Sequence, residues 1–256
     1  MKSRPSILVT NDDGITAPGI LALVDVMREI GEVVVLAPDS PQSAMGHAIT
    51  TSVPIRMEKV DLFKGIEAYQ CTGTPVDCVK LAIDKVLDKL PDLCVSGINH
   101  GSNSSINIIY SGTMSAALEA AIIGINAVGF SLLDYKYDAD FTAAKTYVKE
   151  VALNVLDSGL PKGTLLNVNV PALDQKHIKG MKICRQAEAR WEENFDERVD
   201  PRGKKYYWLA GRFMSTDQGE DTDEWALQNG FVSVVPVQYD LTARHAIGFL
   251  TNSWKL

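Results

Sequence analysis

Apolar residues follow two rhythms along this chain. Short apolar runs at residues 7–9, 33–37, 93–95 and 127–130 read as strands buried on both faces, and residues 164–170 read as a further strand. Between them the spacing changes to that of a helix. Ile20, Leu21, Leu23, Val24 and Met27 mark one helix over residues 17–30, and Val76, Val79, Ile83 and Leu87 mark another from Pro75 to about Leu87. An alanine-rich stretch at 114–123 and an amphipathic one at 141–156 complete the set. Pro18 and the Thr74-Pro75 pair suit helix starts, and Gly31 suits a stop. Residues 48–60 and 66–71 look like a short antiparallel pair. Strand and helix alternating in this way give right-handed βαβ units, hence an α/β, doubly wound, mostly parallel sheet.

The alternation breaks near residue 171. Residues 1–171 are therefore expected to form the doubly wound core, and 172–256 a C-terminal elaboration. That second part holds extended patches at 181–212 rich in charge and in Trp191, Phe195, Tyr206, Tyr207 and Trp208. An acidic loop at 217–223, a last apolar strand at 231–237 and a short tail at 241–256 follow. This elaboration is expected to serve oligomer contact or to cover the site.

Parallel strands put their carboxyl ends on one edge of the sheet, where ligands bind in such folds. The first run ends in Asn11-Asp12-Asp13-Gly14, the second leads to Asp39, Ser40 and Ser43, and the third leads to Ser96, Asn99, His100 and Asn103. Adjacent carboxylates repel, and a divalent cation is the commonest reason for them to share a turn; an ordinary solvated turn is the other reading. Carboxylates, an amide oxygen and a hydroxyl suit Mg²⁺ or Mn²⁺ better than zinc. Ser111-Gly112-Thr113 opens a helix, where free N–H groups and the helix dipole favour an anion, although a plain N-cap accounts for the same residues.

The 256 residues carry 25 Lys plus Arg against 32 Asp plus Glu, a formal net charge of −7. That balance speaks against a nucleic-acid polymer as partner. Four cysteines without a CxxC pair are expected to be reduced structural thiols. The start at Met1-Lys2-Ser3-Arg4-Pro5 leaves no room for a signal peptide, and no stretch is apolar enough for a membrane span, so a cytoplasmic location is expected. The dinucleotide, P-loop, nucleophile-elbow and HExxH signatures are all absent.

Five blocks in this order carry a resemblance. They are Asn11-Asp12-Asp13-Gly14-Ile15 with Gly19-Ile20; Ala37-Pro38-Asp39 with Ser43; Gly73-Thr74-Pro75-Val76-Asp77-Cys78-Val79; Ser96-Gly97-Ile98-Asn99-His100-Gly101; and Tyr110-Ser111-Gly112-Thr113. Together they resemble the SurE family of metal-dependent nucleotidases. The resemblance implies a Rossmann-like fold and hydrolysis of nucleoside 5′- and 3′-monophosphates, extending to short polyphosphate. It implies one divalent metal ion per subunit, Mg²⁺ or Mn²⁺, held by Asp12, Asp13, Ser43 and Asn99, with Asp12, Asp13 and Asn99 catalytic. Asn11, Asn103, Ser111, Gly112 and Thr113 would line the phosphate site, and the chain would form a homodimer or homotetramer with exchanged C-terminal segments. Two departures from the family pattern bear on substrate preference: no basic residue in Ser40-Pro41-Gln42, and no acidic one in Ser104-Ser105-Ile106-Asn107.

A receiver-like module also places an acidic pair after its first strand. It needs an Asp after the third strand, where this chain has Ser96-Gly97-Ile98-Asn99. A nucleotide- or phosphate-sensing module without turnover is the remaining alternative.

Overall fold

The computed structural model of the chain describes residues 4–254, so the last two residues of the expected tail lie outside it, as does the start at Met1-Lys2-Ser3. Each apolar run becomes a strand: β1 (Ser6–Thr10), β2 (Glu32–Pro38), β3 (Met57–Lys59), β4 (Glu67–Cys71), β5 (Leu93–His100), β6 (Ala127–Leu132) and β7 (Thr164–Val170). The helices between them are α1 (Pro18–Ile30), α2 (Pro75–Leu81), α3 (Gly112–Ile123) and α4 (Thr142–Ser158). The later chain adds β8 (Met181–Ile183), β9 (Ala189–Val199), β10 (Lys205–Ser215), α5 (Asp223–Gln228), β11 (Val232–Gln238) and α6 (Arg244–Ser253).

Nine strands form one sheet in the order β3-β4-β2-β1-β5-β6-β7-β11-β8. The six from β4 to β7 run parallel, β3 pairs antiparallel with β4, and β11 pairs antiparallel with β7 and parallel with β8. Alternation along each strand divides the interior. Ile7, Val9, Leu93 and Val95 face α1 and α4. Leu8 and Cys94 face α2 and α3. The fold is thus α/β and doubly wound, as the apolar runs predict. Its order reverses between β1 and β5, so the crevice at their carboxyl ends is the switch point where such sheets bind ligands.

Past residue 171 the chain divides its attention. β8 and β11 extend the main sheet, whereas β9 and β10 leave it as a separate two-stranded arm paired from Ala189–Ser215 to Val199–Lys205. Two local readings shift. The helix from Pro75 ends at Leu81 and widens into a π turn at Ala82–Val86. The third strand, expected to stop at Val95, runs on to His100 through a register shift between Ser96 and Asn99. Gly97 makes that shift possible. Its φ is +127°, and a Cβ there would meet the Phe130 carbonyl oxygen at 2.3 Å. Among the described residues no helix is long and apolar enough to cross a membrane.

Candidate active site

The turn after β1 is built before any ligand arrives. Asn11 Nδ2 donates to the Gly14 carbonyl at 2.9 Å, closing a tight turn whose Gly14 has φ +95°. The Ile15 amide donates to the Pro38 carbonyl at 2.9 Å, which locks this turn to the end of β2. Asp12 is thereby turned toward α3 and buried. Its carboxylate accepts from the Thr113 hydroxyl and from the Thr113 amide. Gly112 permits the approach, since a Cβ there would lie 2.7 Å from the Asp12 Cβ. Hence Asp12 sits against the first turn of α3, at the positive end of the helix dipole.

Burial raises the Asp12 pKa to about 6, and the neighbouring charge of Asp13 adds to the rise; the Thr113 bonds oppose it. Burial raises Asp13 as well, against a lowering by the charge and backbone amide of His100. That His100 amide donates to Asp13 Oδ2 at 3.4 Å, which joins the end of β5 to the acidic turn. Asn99 is next in the chain. Its Nδ2 is directed inward to the Gly101 carbonyl at 2.9 Å, leaving Oδ1 to face other partners. The amide of Gln42 donates to the Asp12 carbonyl at 2.7 Å, and so seats the exposed Ser43 beside the same turn. Asp12, Asp13, Asn99 and the Ser43 loop therefore share one edge of the sheet.

These residues suit a divalent cation. A buried carboxylate, Asp12, and a half-buried one, Asp13, both with raised pKa values, form a site that a positive charge would relieve. Asn11 Oδ1 is buried without a partner beside them. Among the described residues no three His, Cys, Asp or Glu side chains converge, so any ion here would take its further ligands from neutral oxygens.

The anion side lies one turn away. Ser111 caps α3 by accepting from the Met114 amide at 3.1 Å, so the plain N-cap reading describes what its oxygen does. The Thr113 hydroxyl is engaged with Asp12. Asn103 is buried, and one proton of its amide goes to Ser131 Oγ at 2.8 Å, leaving the second.

The side chains of the remaining candidates form no hydrogen bond to the acidic turn. Asp39 and Ser40 are exposed and bond to each other at 2.8 Å. His100 packs edge-on against Phe141 at 5.2 Å, with neither ring nitrogen hydrogen-bonded.

Several residues at the site carried no obvious signal. Asn169 Oδ1 accepts the Asn103 amide at 2.8 Å, and Asn167 Nδ2 donates to the Asn103 carbonyl at 2.8 Å. Two asparagines spaced by two within an apolar strand were the available hint. Asp223 is fully buried and accepts the amides of Ser105 at 2.8 Å and of Ala187 at 2.9 Å, tying loop 101–105 to the stem of the arm. Glu224 accepts from the Ser104 hydroxyl. The four cysteines are free and buried, and Cys71 Sγ lies 3.2 Å from Cys78 Sγ.

Comparison with known proteins addresses this arrangement directly. The family model described as survival protein SurE matches residues 7–193, across the acidic turn, the Ser43 loop, Asn99 and the α3 cap. The chain belongs to the SurE family. It is 63% identical over 255 residues to the 5′-nucleotidase SurE of Flavobacterium psychrophilum, covering 99% of each chain. It is 61% identical to the 5′-nucleotidase SurE of Christiangramia forsetii, covering 100% of this chain and 98% of that one. Among solved structures it is similar to the SurE protein of Aquifex aeolicus, with a TM-score of 0.84 and 39% identity over 97% of this chain and 99% of that one. The SurE likeness thus spans both the sheet and the arm.

Proposed function

We propose that this SurE protein is a divalent-metal-dependent phosphoric monoester hydrolase acting on nucleoside 5′- and 3′-monophosphates, with short polyphosphate as a further substrate. The observation that carries the reading is the meeting of Asp12 with the first turn of α3. One carboxylate suited to a cation and one helix start suited to a phosphate are then in direct contact. The relatives named 5′-nucleotidase support the substrate class.

In this reading Asp12, Asp13, Ser43 and Asn99 hold one Mg²⁺ or Mn²⁺ ion, with Asp12, Asp13 and Asn99 as the catalytic set. Such an ion, when bound, neutralises phosphoryl charge and lowers the pKa of a coordinated water. Asn11 shapes the turn, and its free Oδ1 supports the ligands. Gly112 and Thr113 present the helix start to the phosphate, Ser111 offers its hydroxyl proton, and Asn103 offers its second amide proton. These donors hold the phosphoryl oxygens while water attacks phosphorus in line and the nucleoside oxygen leaves. Thr113 keeps Asp12 oriented and favours its charged form. Both carboxylates already have partners, which favours direct attack by water over an aspartyl-phosphate intermediate.

Residues 1–171 would act as the catalytic unit, and 172–256 would supply oligomer contacts in a homodimer or homotetramer with exchanged C-terminal segments. The exposed aromatics of the arm support the latter. Cysteines without disulfide spacing support a reducing, cytoplasmic setting.

The test is phosphate release from a panel of nucleoside 5′- and 3′-monophosphates and short polyphosphates, with Mn²⁺ or Mg²⁺ and with EDTA. Metal-dependent release from nucleotides is expected. Saturable nucleotide binding with no phosphate released under either metal would overturn the reading and leave a sensing module.

A further inference from the structure

The loop that carries Ser43 is exposed and conformationally costly. Ser43, Ala44 and Met45 are all exposed. Ala44 has φ +59° and Gly46 has φ +56°. A left-handed alanine costs on the order of 1 kcal/mol and persists only where its surroundings dictate it. Upstream, the Gln42 amide is fixed to the Asp12 carbonyl. Downstream, the Gly46 amide donates to the Tyr110 carbonyl at 3.1 Å. His47 follows, with Nε2 3.0 Å from Glu119 Oε2. In the stretch 41–49 it is the one side chain that forms a hydrogen bond.

Glu119 is a fitting anchor. It is only 4% exposed, it belongs to α3, and Lys80 of α2 binds its other oxygen. A buried carboxylate with two cationic or hydrogen-bonding partners is strongly fixed, because leaving it unpaired is costly. The helix that holds Glu119 is the one whose start lies against Asp12.

From this geometry we infer that His47 is a positioning residue for the metal site: by clamping to Glu119 it holds the strained turn that presents Ser43. The inference rests on the proposal that Ser43 is a metal ligand. It adds a residue that touches neither metal nor substrate. Without the clamp, Ser43 samples other positions, metal affinity falls, and turnover at saturating metal is kept.

The experiment measures Mn²⁺ binding by the EPR signal of free Mn²⁺, alongside kcat and KM with Mn²⁺ varied. His47→Ala is expected to weaken Mn²⁺ binding about 5- to 30-fold, with kcat at saturating Mn²⁺ within about threefold of the parent. His47→Gln, whose amide can donate to Glu119, is expected to recover most of the affinity. Ser43→Ala is run in parallel. If Ser43→Ala weakens binding and His47→Ala leaves it within twofold, the clamp alone is wrong. If Ser43→Ala leaves binding unchanged, the Ser43 ligand assignment fails and the inference goes with it. A His47→Ala protein with normal Mn²⁺ affinity and collapsed kcat would also overturn it. His47→Gln carries the same test should the alanine variant fold poorly.

Discussion

The turn after β1 and the arm formed by β9 and β10 are built on opposite plans. Around Asp12 the turn is tied within the same subunit through Asn11 and Thr113, and the polar atoms left over, Thr10 Oγ1, Asn11 Oδ1, Ser96 Oγ and both His100 ring nitrogens, are buried without a partner. Along the arm, the backbone ladder is complete over eleven residues on each strand, yet Phe195, Tyr207, Trp208 and Leu209 stay more than half exposed. The backbone of the turn is fixed by its own chain. An antiparallel ribbon with apolar side chains on both faces and no sheet beneath it is finished by something else. The difference separates a region whose geometry folding alone secures from one whose apolar surface folding leaves open.

The sharpest way to break the contrast is Asp12→Asn. If the turn is the chemical centre, kcat falls about 10²–10³-fold or more in a nucleotide assay with saturating Mn²⁺, while the circular dichroism spectrum is unchanged. Near-normal turnover would remove Asp12 from the mechanism.

The same variant sharpens the contrast through stability. Asp12 titrates at about 6 in the folded chain against 3.8 for the free side chain. Between those values the folded state holds the extra proton. The stabilising effect of the neutral acid is therefore present below about pH 4 and lost as pH rises through 6. Asparagine does not titrate. Metal-free Asp12→Asn should thus be more stable than the parent at pH 7.5, by about 1–3 kcal/mol in urea melts with EDTA, and the gain should shrink toward pH 4.5. A gain that is constant with pH would contradict the burial origin of the shift.

The smallest effect on the core is expected at the arm. Trp208→Ser removes an exposed indole with no neighbour in the main sheet. It should leave the urea midpoint of the core within about 0.5 kcal/mol while shifting the sedimentation profile toward smaller species. An unchanged profile would mean that the arm's aromatic side chains do not join subunits.

Legibility in the sequence follows the same divide. The parallel strands of the core could be read because strands buried on both faces are mostly apolar, and the Thr74-Pro75 pair marked the start of α2. The placement of Asp12, Asp13 and Asn99 on one edge of the sheet was legible for a topological reason, since parallel strands end on one edge. The last five residues of β5 were not, because Ser96 to His100 are polar and glycine-bearing and pair only through a bulge. The antiparallel entry of β11 beside β7 was hidden as well, because an apolar run carries no direction. His47 and Asp223 stayed mute for a third reason. Each acts through a partner at a separation that no local pattern encodes, Glu119 for one, Ser105 and Ala187 for the other.

The Asp223 carboxylate has one further meaning. It is shared between the segment leading into the arm and the loop that seats Asn103. Two parts of the molecule that differ in exposure and composition are thus spliced at a single side chain. A tug on the ribbon would reach the loop that seats Asn103 without crossing the sheet.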